Sequence, residues 1–312
     1  MNKYLKQYKW SNIKSMLRNN RKSPKECSED FNDRLVLITG ATSGIGYQTA
    51  RLYASHGANL LCINRNLQKS RDLCKEIQEE FSVRCDYKIA DYSHLHEIIT
   101  IAKELAKIDD DIDVLIHNAG VFSTKKILTD NNIELSFQVN YLGSFILNYY
   151  LQDKLKTQGK GRIIFVNSEG HRFAIRGLHL QDLKWEKHHY SGLKGYGASK
   201  TAQLLSMIKF DEIFHDTGIT INAMHPGNVK TKMGENNGWF YHLKKQLFVN
   251  PSSKSPEISA QALYYLGVSP EMINISGVFF NLTTEEIPAP PAMDKEIAEE
   301  LWDKTLKMVN FT

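Results

Sequence analysis

Residues 39–46 read T-G-A-T-S-G-I-G and directly follow the apolar run L-V-L-I-T at 35–39. A helical pattern begins among the same glycines and runs over 44–56. A glycine-rich strand-to-helix turn lets the backbone approach a diphosphate closely, and the first helical turn offers N–H groups and the positive end of its dipole. Gly40, Gly44 and Gly46 differ in spacing from the G-x-G-x-x-G fingerprint, so a merely tight turn is an alternative. The position after the first apolar strand favours a nucleotide-binding turn.

Strand-like and helix-like stretches alternate along the rest of the chain. Apolar runs typical of buried parallel strands occupy 35–39, 58–63, 113–117 and 162–167, with weaker candidates at 83–90, 218–224 and 276–281. Helical patterns lie at 44–56, 67–81, 94–108, 131–156, 196–214, 256–267 and 293–309. This alternation implies right-handed βαβ units. The sequence therefore predicts an α/β fold, a doubly wound parallel sheet (Rossmann fold) of about seven strands with helices on both faces.

No repeat and no Gly- or Pro-rich linker divides the body, so we predict one Rossmann-fold domain at 34–285 with an irregular lid near 228–255. A C-terminal helix within 286–312 is expected to pack on that domain. A basic tail, 1–33, precedes it, and residues 1–25 carry eight Lys or Arg and no acid. We favour a solvated leader, with a membrane-surface helix making peripheral membrane contact and an acid-poor transit peptide as alternatives.

Composition excludes several classes of protein. The net charge of +4 comes from the basic tail, so the body is mildly acidic and offers no case for nucleic-acid binding. The four cysteines lack zinc-finger spacing, so we expect no metal site and reduced thiols in the cytoplasm, since nothing resembles a secretory signal peptide. The most apolar segment, 133–151, is interrupted by Glu134, Gln138 and Asn140, which favours a buried helix over a membrane span.

The end of the second predicted strand bears on the choice of cofactor. It reads C-I-N-R-N at 62–66, about twenty residues after the glycine turn, where an acid would bind the ribose hydroxyl of NAD. Asn64 and Arg65 stand there instead, and an arginine can hold a 2′-phosphate by charge-assisted hydrogen bonds. We therefore predict NADP(H), preferred over NAD(H). An arginine that merely lies at the surface is the alternative.

Tyr196 and Lys200 form a Tyr-x-x-x-Lys pair within G-Y-G-A-S-K, residues 195–200. Residues four apart are neighbours on any helix, so the spacing does not by itself indicate chemistry. The same spacing occurs in three more pairs: Tyr150/Lys154, Tyr190/Lys194 and Tyr241/Lys245.

Several motifs together resemble the short-chain dehydrogenase/reductase family. They are T-G-A-T-S-G-I-G at 39–46, N-A-G at 118–120, Asn140, Ser168, Y-G-A-S-K at 196–200 and H-P-G at 225–227 with Thr231. The resemblance runs from about 34 to 285 in the family's order. H-L-Q-D-L-K-W at 179–185, S-G-V-F-F-N at 276–281 and L-W-D-K at 301–304 are similar to the retinol-dehydrogenase-like branch.

The resemblance implies catalytic roles for Asn140, Ser168, Tyr196 and Lys200. Tyr196 would exchange a proton with a substrate carbonyl or alcohol oxygen. A free phenol is a poor base at neutral pH, and a lysine ammonium nearby favours its ionised form. Ser168 would hydrogen-bond the same oxygen and stabilise its developing charge, and Asn140 would carry a water chain toward Lys200.

The resemblance also implies a set of cofactor contacts. They are Gly40, Thr42, Ser43, Gly44, Ile45, Gly46, Arg65, Asp91, Asn118, Ala119, Gly120, Tyr196, Lys200, Pro226, Gly227, Val229 and Thr231. Asp91 would face the adenine, and Pro226, Gly227 and Thr231 would frame the nicotinamide amide. A homo-oligomer, through the helices at 131–156 and 196–214, is a further implication.

Substrate contacts are expected from Ser168 and, within the apolar stretch 238–249, from Trp239 and Phe240. This stretch could close over a lipophilic small-molecule substrate, or be an amphipathic helix packed on the core. His171, three residues after Ser168, is a further candidate contact. The residue after Ser168 is Glu169, where many relatives have a small residue, and the stretch 170–192 is longer than usual. The longer stretch bears on the substrate pocket rather than on the proton transfer.

Three other functions stay open at this stage. A catalytically silent NADP(H)-binding regulatory protein would keep the glycine turn without turnover. A nucleotide-sugar epimerase or dehydratase shares the Tyr–Lys pair, although the chain has little room for its larger C-terminal domain. A scaffold that acts through its basic tail is the third. The prediction is an NADP(H)-dependent oxidoreductase that interconverts a carbonyl and an alcohol.

Overall fold

The computed structural model describes residues 3–229 and 255–310. Its strands are Leu35–Thr39 (β1), Asn59–Asn64 (β2), Cys85–Ile89 (β3), Val114–His117 (β4), Gly161–Val166 (β5), Ile219–His225 (β6), Phe279–Asn281 (β7) and Thr284–Glu285 (β8). The α-helices in these ranges are Trp10–Asn19 (α1), Gly44–Ser55 (α2), Leu67–Phe81 (α3), Leu95–Leu105 (α4), Gly143–Gln158 (α5), Gly192–Ile213 (α6), Pro256–Val268 (α7) and Lys295–Met308 (α8).

All eight strands form one sheet in the order β3-β2-β1-β4-β5-β6-β7-β8. Strands β1 to β7 are parallel, and the short β8 pairs antiparallel with β7. The chain runs outward from β1 in both directions, so the sheet has its topological switch point between β1 and β4, where such folds bind ligands. The predicted doubly wound sheet is confirmed, with β8 added to the seven strands expected.

Helices cover both faces of the sheet because alternate residues of each strand point to opposite sides. In β1, Leu35 and Leu37 join the apolar cluster formed with α4, α5, α6 and α8. Val36 and Ile38 join the second cluster, formed with α2, α3 and α7. The continuous apolar run of β1 is therefore buried on both sides and fixes the place where the glycine turn begins.

Two predicted helices differ from the structure at their ends. The helix expected over 131–156 ends at Gln158, and its first part is a π-helix, Phe137–Leu142, that leads into α5. Helix α6 begins at Gly192, earlier than expected, since the Ser191 side chain caps it by accepting a hydrogen bond from the Lys194 backbone N–H. In the ranges the structure describes, no helix combines the length and apolarity needed to cross a membrane.

The N-terminal segment is not the solvated leader that the sequence favoured. Tyr4 is buried, and its hydroxyl donates to Asp294 at 2.8 Å. Asn19, at the end of α1, is buried and donates to Glu286 at 3.1 Å. Lys25 Nζ lies 2.5 Å from the Glu271 carboxylate. The basic residues therefore belong to a segment that is bound to the domain by these side-chain hydrogen bonds.

Helix α8 packs across α5 and α6. The ring centroid of Trp302 lies 4.9 Å from that of Phe145 and 5.0 Å from that of Phe210. Tyr141 also donates or accepts a 2.7 Å hydrogen bond with Thr305. The C-terminal helix therefore covers part of the helix surface on which the sequence placed a subunit interface, and an oligomer through that surface stays a prediction.

Candidate active site

The glycine turn leaves room beside the backbone where β1 enters α2. Gly44 has φ +57°, and a Cβ there would meet nothing within 4 Å. At Gly46 a Cβ would lie 2.3 Å from the Gly40 carbonyl oxygen, so only glycine lets the helix approach the strand so closely. The N-cap residue Ser43 makes no side-chain hydrogen bond to α2, which leaves the N–H groups of the first turn for an anion.

The residues after β4 are hydrogen-bonded to the glycine turn at the switch point. Asn118 Nδ2 donates to the carbonyl oxygens of Thr39 and Gly40, at 3.0 and 2.8 Å. The Thr39 hydroxyl accepts from the backbone N–H groups of Asn118 and Ala119, at 3.0 and 2.9 Å. These bonds bring the predicted Asn118–Gly120 contacts beside the predicted glycine contacts. Thr39, which the sequence analysis did not single out, is the residue that holds them together.

Arg65 and Asp91 lie at the carboxyl ends of β2 and β3. The Arg65 side chain is 68% exposed, and its Nε is 3.9 Å from Asp91 Oδ2. Behind it, buried Asn64 accepts a 2.7 Å hydrogen bond from the Ala41 backbone N–H. Asn64 Nδ2 is buried and has no partner in the described part of the chain. An unpaired buried amide beside an open glycine cradle fits a dinucleotide better than it fits a structural turn.

Burial of Lys200 distinguishes the Tyr196/Lys200 pair from the other Tyr-x-x-x-Lys pairs that the structure describes. The Lys200 side chain is buried, and Nζ donates to the Val166 carbonyl oxygen at 2.8 Å. Nζ also lies 6.0 Å from the ring centroid of Tyr196. Burial lowers the pKa of Lys200 to about 7. By contrast, Lys154 is half-buried and Lys194 is exposed, and the pair Tyr241/Lys245 lies outside the described residues.

Gly170 holds Tyr196 and Ser168 next to each other. A Cβ at Gly170 would be 2.5 Å from Tyr196 Cε1 and 3.2 Å from Ser168 Oγ, so both groups lie against this residue. Ser168 Oγ also accepts from the Gly170 backbone N–H at 2.9 Å and caps a short 3₁₀ turn, Glu169–Phe173. On another side, the Phe122 ring meets that of Tyr196 edge-on at 5.6 Å. No sequence pattern singles out Gly170 beyond its small size.

Asn140 lies in the π-helix, a distortion that is frequent at functional sites. Its side-chain amide bonds to the backbone of Val121 and donates to Ser199 Oγ at 3.0 Å. The backbone carbonyl oxygen of Asn140 accepts from Gln203 Nε2 at 3.1 Å, and Gln203 Oε1 lies 3.4 Å from Lys200 Nζ. Gln203 therefore contacts both Asn140 and Lys200, and the water chain between these two residues stays a prediction.

His171 is placed differently from its prediction as a substrate contact. It is fully buried, with Nδ1 2.7 Å from the Ser168 carbonyl oxygen and Nε2 accepting from the Ala289 backbone N–H at 3.0 Å. Both ring nitrogens are occupied, so this histidine braces the turn after Ser168. The prediction of a substrate contact at His171 is wrong for that reason. Trp239, Phe240 and Thr231 lie outside the described residues.

The loop after β6 carries the remaining predicted contacts. Pro226, Gly227 and Val229 line a cavity of about 200 Å³ together with Asn20 and Leu282. Gly227 has φ +77°, which a residue with a side chain rarely adopts. Asn20 belongs to the N-terminal segment, so this segment forms part of the cavity wall. Nowhere in residues 3–229 and 255–310 do three or more His, Cys, Asp or Glu side chains gather as metal ligands do.

Comparisons with known proteins identify the family of this chain. The family model described as short chain dehydrogenase matches residues 34–178. The chain is 33% identical over 282 residues to retinol dehydrogenase 13 of Mus musculus and of Homo sapiens, which covers 88% of this chain and 84% of each relative. The chain therefore belongs to the short chain dehydrogenase family and is an oxidoreductase with a nicotinamide cofactor site. Within the family it is retinol-dehydrogenase-like.

Solved structures show the same fold. An uncharacterized protein from Mycobacterium paratuberculosis superposes with a TM-score of 0.71 at 24% identity, over 90% of this chain and 95% of its own. The short-chain dehydrogenase from Sphingobium yanoikuyae in complex with NADPH gives a TM-score of 0.60 at 22% identity, over 75% and 83% of the two chains.

Proposed function

We propose that the protein interconverts a carbonyl and an alcohol with NADP(H), using Tyr196 as acid and base. The observation that carries the proposal is the buried Lys200 one helical turn after Tyr196, whose ring lies against Gly170 beside Ser168 Oγ. When bound, NADPH supplies the hydride. Tyr196 gives its proton to the substrate oxygen, and Ser168 Oγ donates a hydrogen bond to that oxygen as negative charge develops.

Lys200 supports this proton transfer by its charge. A buried ammonium strongly favours a negative charge next to it, because water screens the pair poorly. Its low pKa, about 7, is a consequence of burial before Tyr196 ionises. Once the phenolate forms, the pair of opposite charges stabilises the protonated lysine. The Tyr196 proton is therefore released and regained at a lower cost than that of a free phenol.

Tyr196→Phe tests the proposal, because it removes the reacting hydroxyl and keeps the ring. We expect NADPH oxidation with a lipophilic aldehyde to fall by about 10²- to 10⁴-fold, with NADPH affinity unchanged. Tyr150→Phe, in the pair whose lysine is only half-buried, is the matched control and should keep its rate. Turnover that survives in Tyr196→Phe would refute the assignment. NADPH binding by the wild type without turnover of any carbonyl would favour the silent regulator.

NADP(H) preference is proposed from Arg65, which is exposed at the carboxyl end of β2 and near Asp91. Charge-assisted bonds to a 2′-phosphate contribute about 1.5–3 kcal/mol, so Arg65→Ala should weaken NADPH binding about ten- to a hundredfold. NADH, which lacks that phosphate, should bind this variant as it binds the wild type. Arg71→Ala, at another exposed arginine on α3, is the control. Equal affinities for NADPH in all three proteins would contradict the preference.

A lipophilic substrate is proposed because the relatives named retinol dehydrogenase cover most of the chain and because Phe122 packs against Tyr196. Retinal and straight-chain aldehydes of increasing length are the first substrates to measure. Each buried CH₂ contributes about 0.8 kcal/mol, so kcat/KM should rise about fourfold for each added carbon until the pocket is full. A flat series would remove the lipophilic assignment and leave the reaction in place.

Peripheral membrane contact is proposed for helix α1. Asn19 attaches this helix to the body, while Trp10 is 77% and Leu17 55% exposed, on a segment rich in Lys and Arg. Exposed apolar residues flanked by basic charge bind anionic bilayers at the interface. Co-sedimentation with phosphatidylserine vesicles should be lost in Trp10→Ala/Leu17→Ala and kept in Ser11→Ala. Fractionation of cells then tests the cytoplasmic location predicted from the four cysteines, all of which are free.

A further inference from the structure

We propose that Glu169, Arg172 and Glu286 are positioning residues for the catalytic serine turn, and that Asn19 of helix α1 completes this set. The N-terminal segment would then take part in holding Ser168 instead of serving only as an appendage. The inference rests on the proposed function, because it gives these residues their effect through Ser168 and Tyr196.

The first link joins the turn to the β8 region. Glu169 directly follows Ser168, and its side chain pairs with that of Arg172 in the same 3₁₀ turn. Arg172 also donates to Glu286 at 2.8 Å and to the Ile287 carbonyl oxygen at 3.0 Å. The Glu286 side chain is 2% exposed, so the guanidinium lies between two carboxylates, one of them buried. Arg172 therefore fixes the turn that carries Gly170 and, through it, the Tyr196 ring.

The second link joins Glu286 to the N-terminal segment. Glu286 Oε2 accepts from Asn19 Nδ2 at 3.1 Å and from Asn281 Nδ2 at 3.3 Å. Asn281 in turn donates to Asn20 Oδ1 at 2.7 Å. The end of α1 thus reaches the same carboxylate that orients Arg172. Three consecutive side-chain contacts, Asn19 to Glu286, Glu286 to Arg172 and Arg172 to Glu169, lead from α1 to the residue next to Ser168.

The charges of Glu169, Arg172 and Glu286 make the hydrogen bonds to Glu286 important. One buried carboxylate, Glu286, and one half-buried carboxylate, Glu169, share one guanidinium, and loss of water contact raises the pKa of Glu169 to about 7. The neighbouring histidines add no positive charge, because burial lowers the pKa of His225 to about 4 and of His171 to about 3. Hydrogen bonds from Asn19 and Asn281 to Glu286 therefore add stabilisation to that of Arg172, the cation that pairs with this carboxylate among the described residues. Both amides donate to Glu286 Oε2, so loss of either leaves this buried oxygen with one of its two amide hydrogen bonds.

The test compares Asn19→Ala with Lys25→Ala. Both remove an attachment of the N-terminal segment, but Lys25 bonds to Glu271 and Tyr265, away from the serine turn. We expect Asn19→Ala to lower kcat about tenfold with the affinity for NADPH unchanged, and Lys25→Ala to keep kcat. Glu286→Ala should lower kcat similarly, and the double variant Asn19→Ala/Glu286→Ala should lose far less than the product of the two effects.

Hydrogen–deuterium exchange separates this inference from the proposed function. Amides of residues 169–174 should exchange faster in Asn19→Ala and at the wild-type rate in Lys25→Ala. Unchanged exchange of the turn in Asn19→Ala, or equal losses of kcat in both variants, would overturn the inference. A wild-type protein that turns over no carbonyl substrate would refute the proposed function, and the exchange of the turn would still decide whether α1 positions it.

Discussion

Gly170→Ala gives the sharpest test of the active-site geometry. The added Cβ would lie 2.5 Å from Tyr196 Cε1 and 2.8 Å from Cδ1, whereas ordinary contacts begin at 3.4 Å. The Tyr196 ring or the serine turn must therefore move by about 1 Å, and a displacement of that size costs about 10²-fold in rate. The expected result is a hundredfold lower kcat for NADPH-dependent aldehyde reduction, with KM changed much less. Stopped-flow measurement of NADPH absorbance supplies kcat.

Gly195→Ala is the matched control for this prediction. Its Cβ would lie 2.7 Å from Cε2 of Tyr190, the tyrosine of a look-alike pair. Both variants thus add a methyl group next to a tyrosine ring, but no catalytic role is proposed for Tyr190. The kcat of Gly195→Ala should therefore stay within a few-fold of wild type. NADPH titration should give equal affinities in both variants, since the glycine turn is untouched. A Gly170→Ala enzyme that retains wild-type kcat would refute the contact between Gly170 and Tyr196.

Three more predictions follow from buried groups. Lys200→Met should raise the pH midpoint of alcohol oxidation by about 2 units. Lys200 Nζ lies 6.0 Å from the Tyr196 ring centroid, and opposite charges at about that separation attract by about 3 kcal/mol at an effective dielectric constant of about 20. An unmoved midpoint would contradict this. Burial lowers the pKa of His117 to about 4, of His225 to about 4 and of His171 to about 3, so the unfolded chain binds more protons below pH 6.5. The contribution of these histidines to stability is therefore complete above pH 6.5 and is lost as the pH falls toward 4. Urea unfolding at pH 5 should show a loss of about 2 kcal/mol of unfolding free energy for each histidine. A urea midpoint that stays constant from pH 7 to 5 would refute this. Trp302→Ala should cost about 3 kcal/mol of unfolding free energy, and a loss below about 1 kcal/mol would show that α8 adds little to the core.

The central strands could be predicted because burial on both faces leaves a continuous apolar run in the sequence. β1 and β5 are such runs, and both ends of β1 lie where its pattern places them. The glycine turn was equally visible, since a close backbone approach requires glycine at fixed positions. These features depend on neighbours within a few residues, which is the range over which a single sequence carries information.

Residues whose roles depend on distant partners could not be predicted. Gly170 looks like any glycine until Tyr196 packs on it, and Gln203 is one of many helical polar residues until it joins Lys200 to Asn140. The docking of α1 was missed for the same reason. Its amphipathic pattern shows that one face is apolar, but it does not indicate what lies against the polar Asn19.

Glu169 poses an electrostatic problem that the structure resolves. A carboxylate next to Ser168 would oppose the negative charge that develops on the substrate oxygen, because like charges in a site of low dielectric constant repel strongly. Here the carboxylate is turned toward Arg172, and burial favours its neutral form. With Glu286 taking the other side of the guanidinium, the group carries at most one excess negative charge. The arginine therefore both fixes the turn and shields Ser168 from the residue that follows it, which explains how an acid is tolerated at this position.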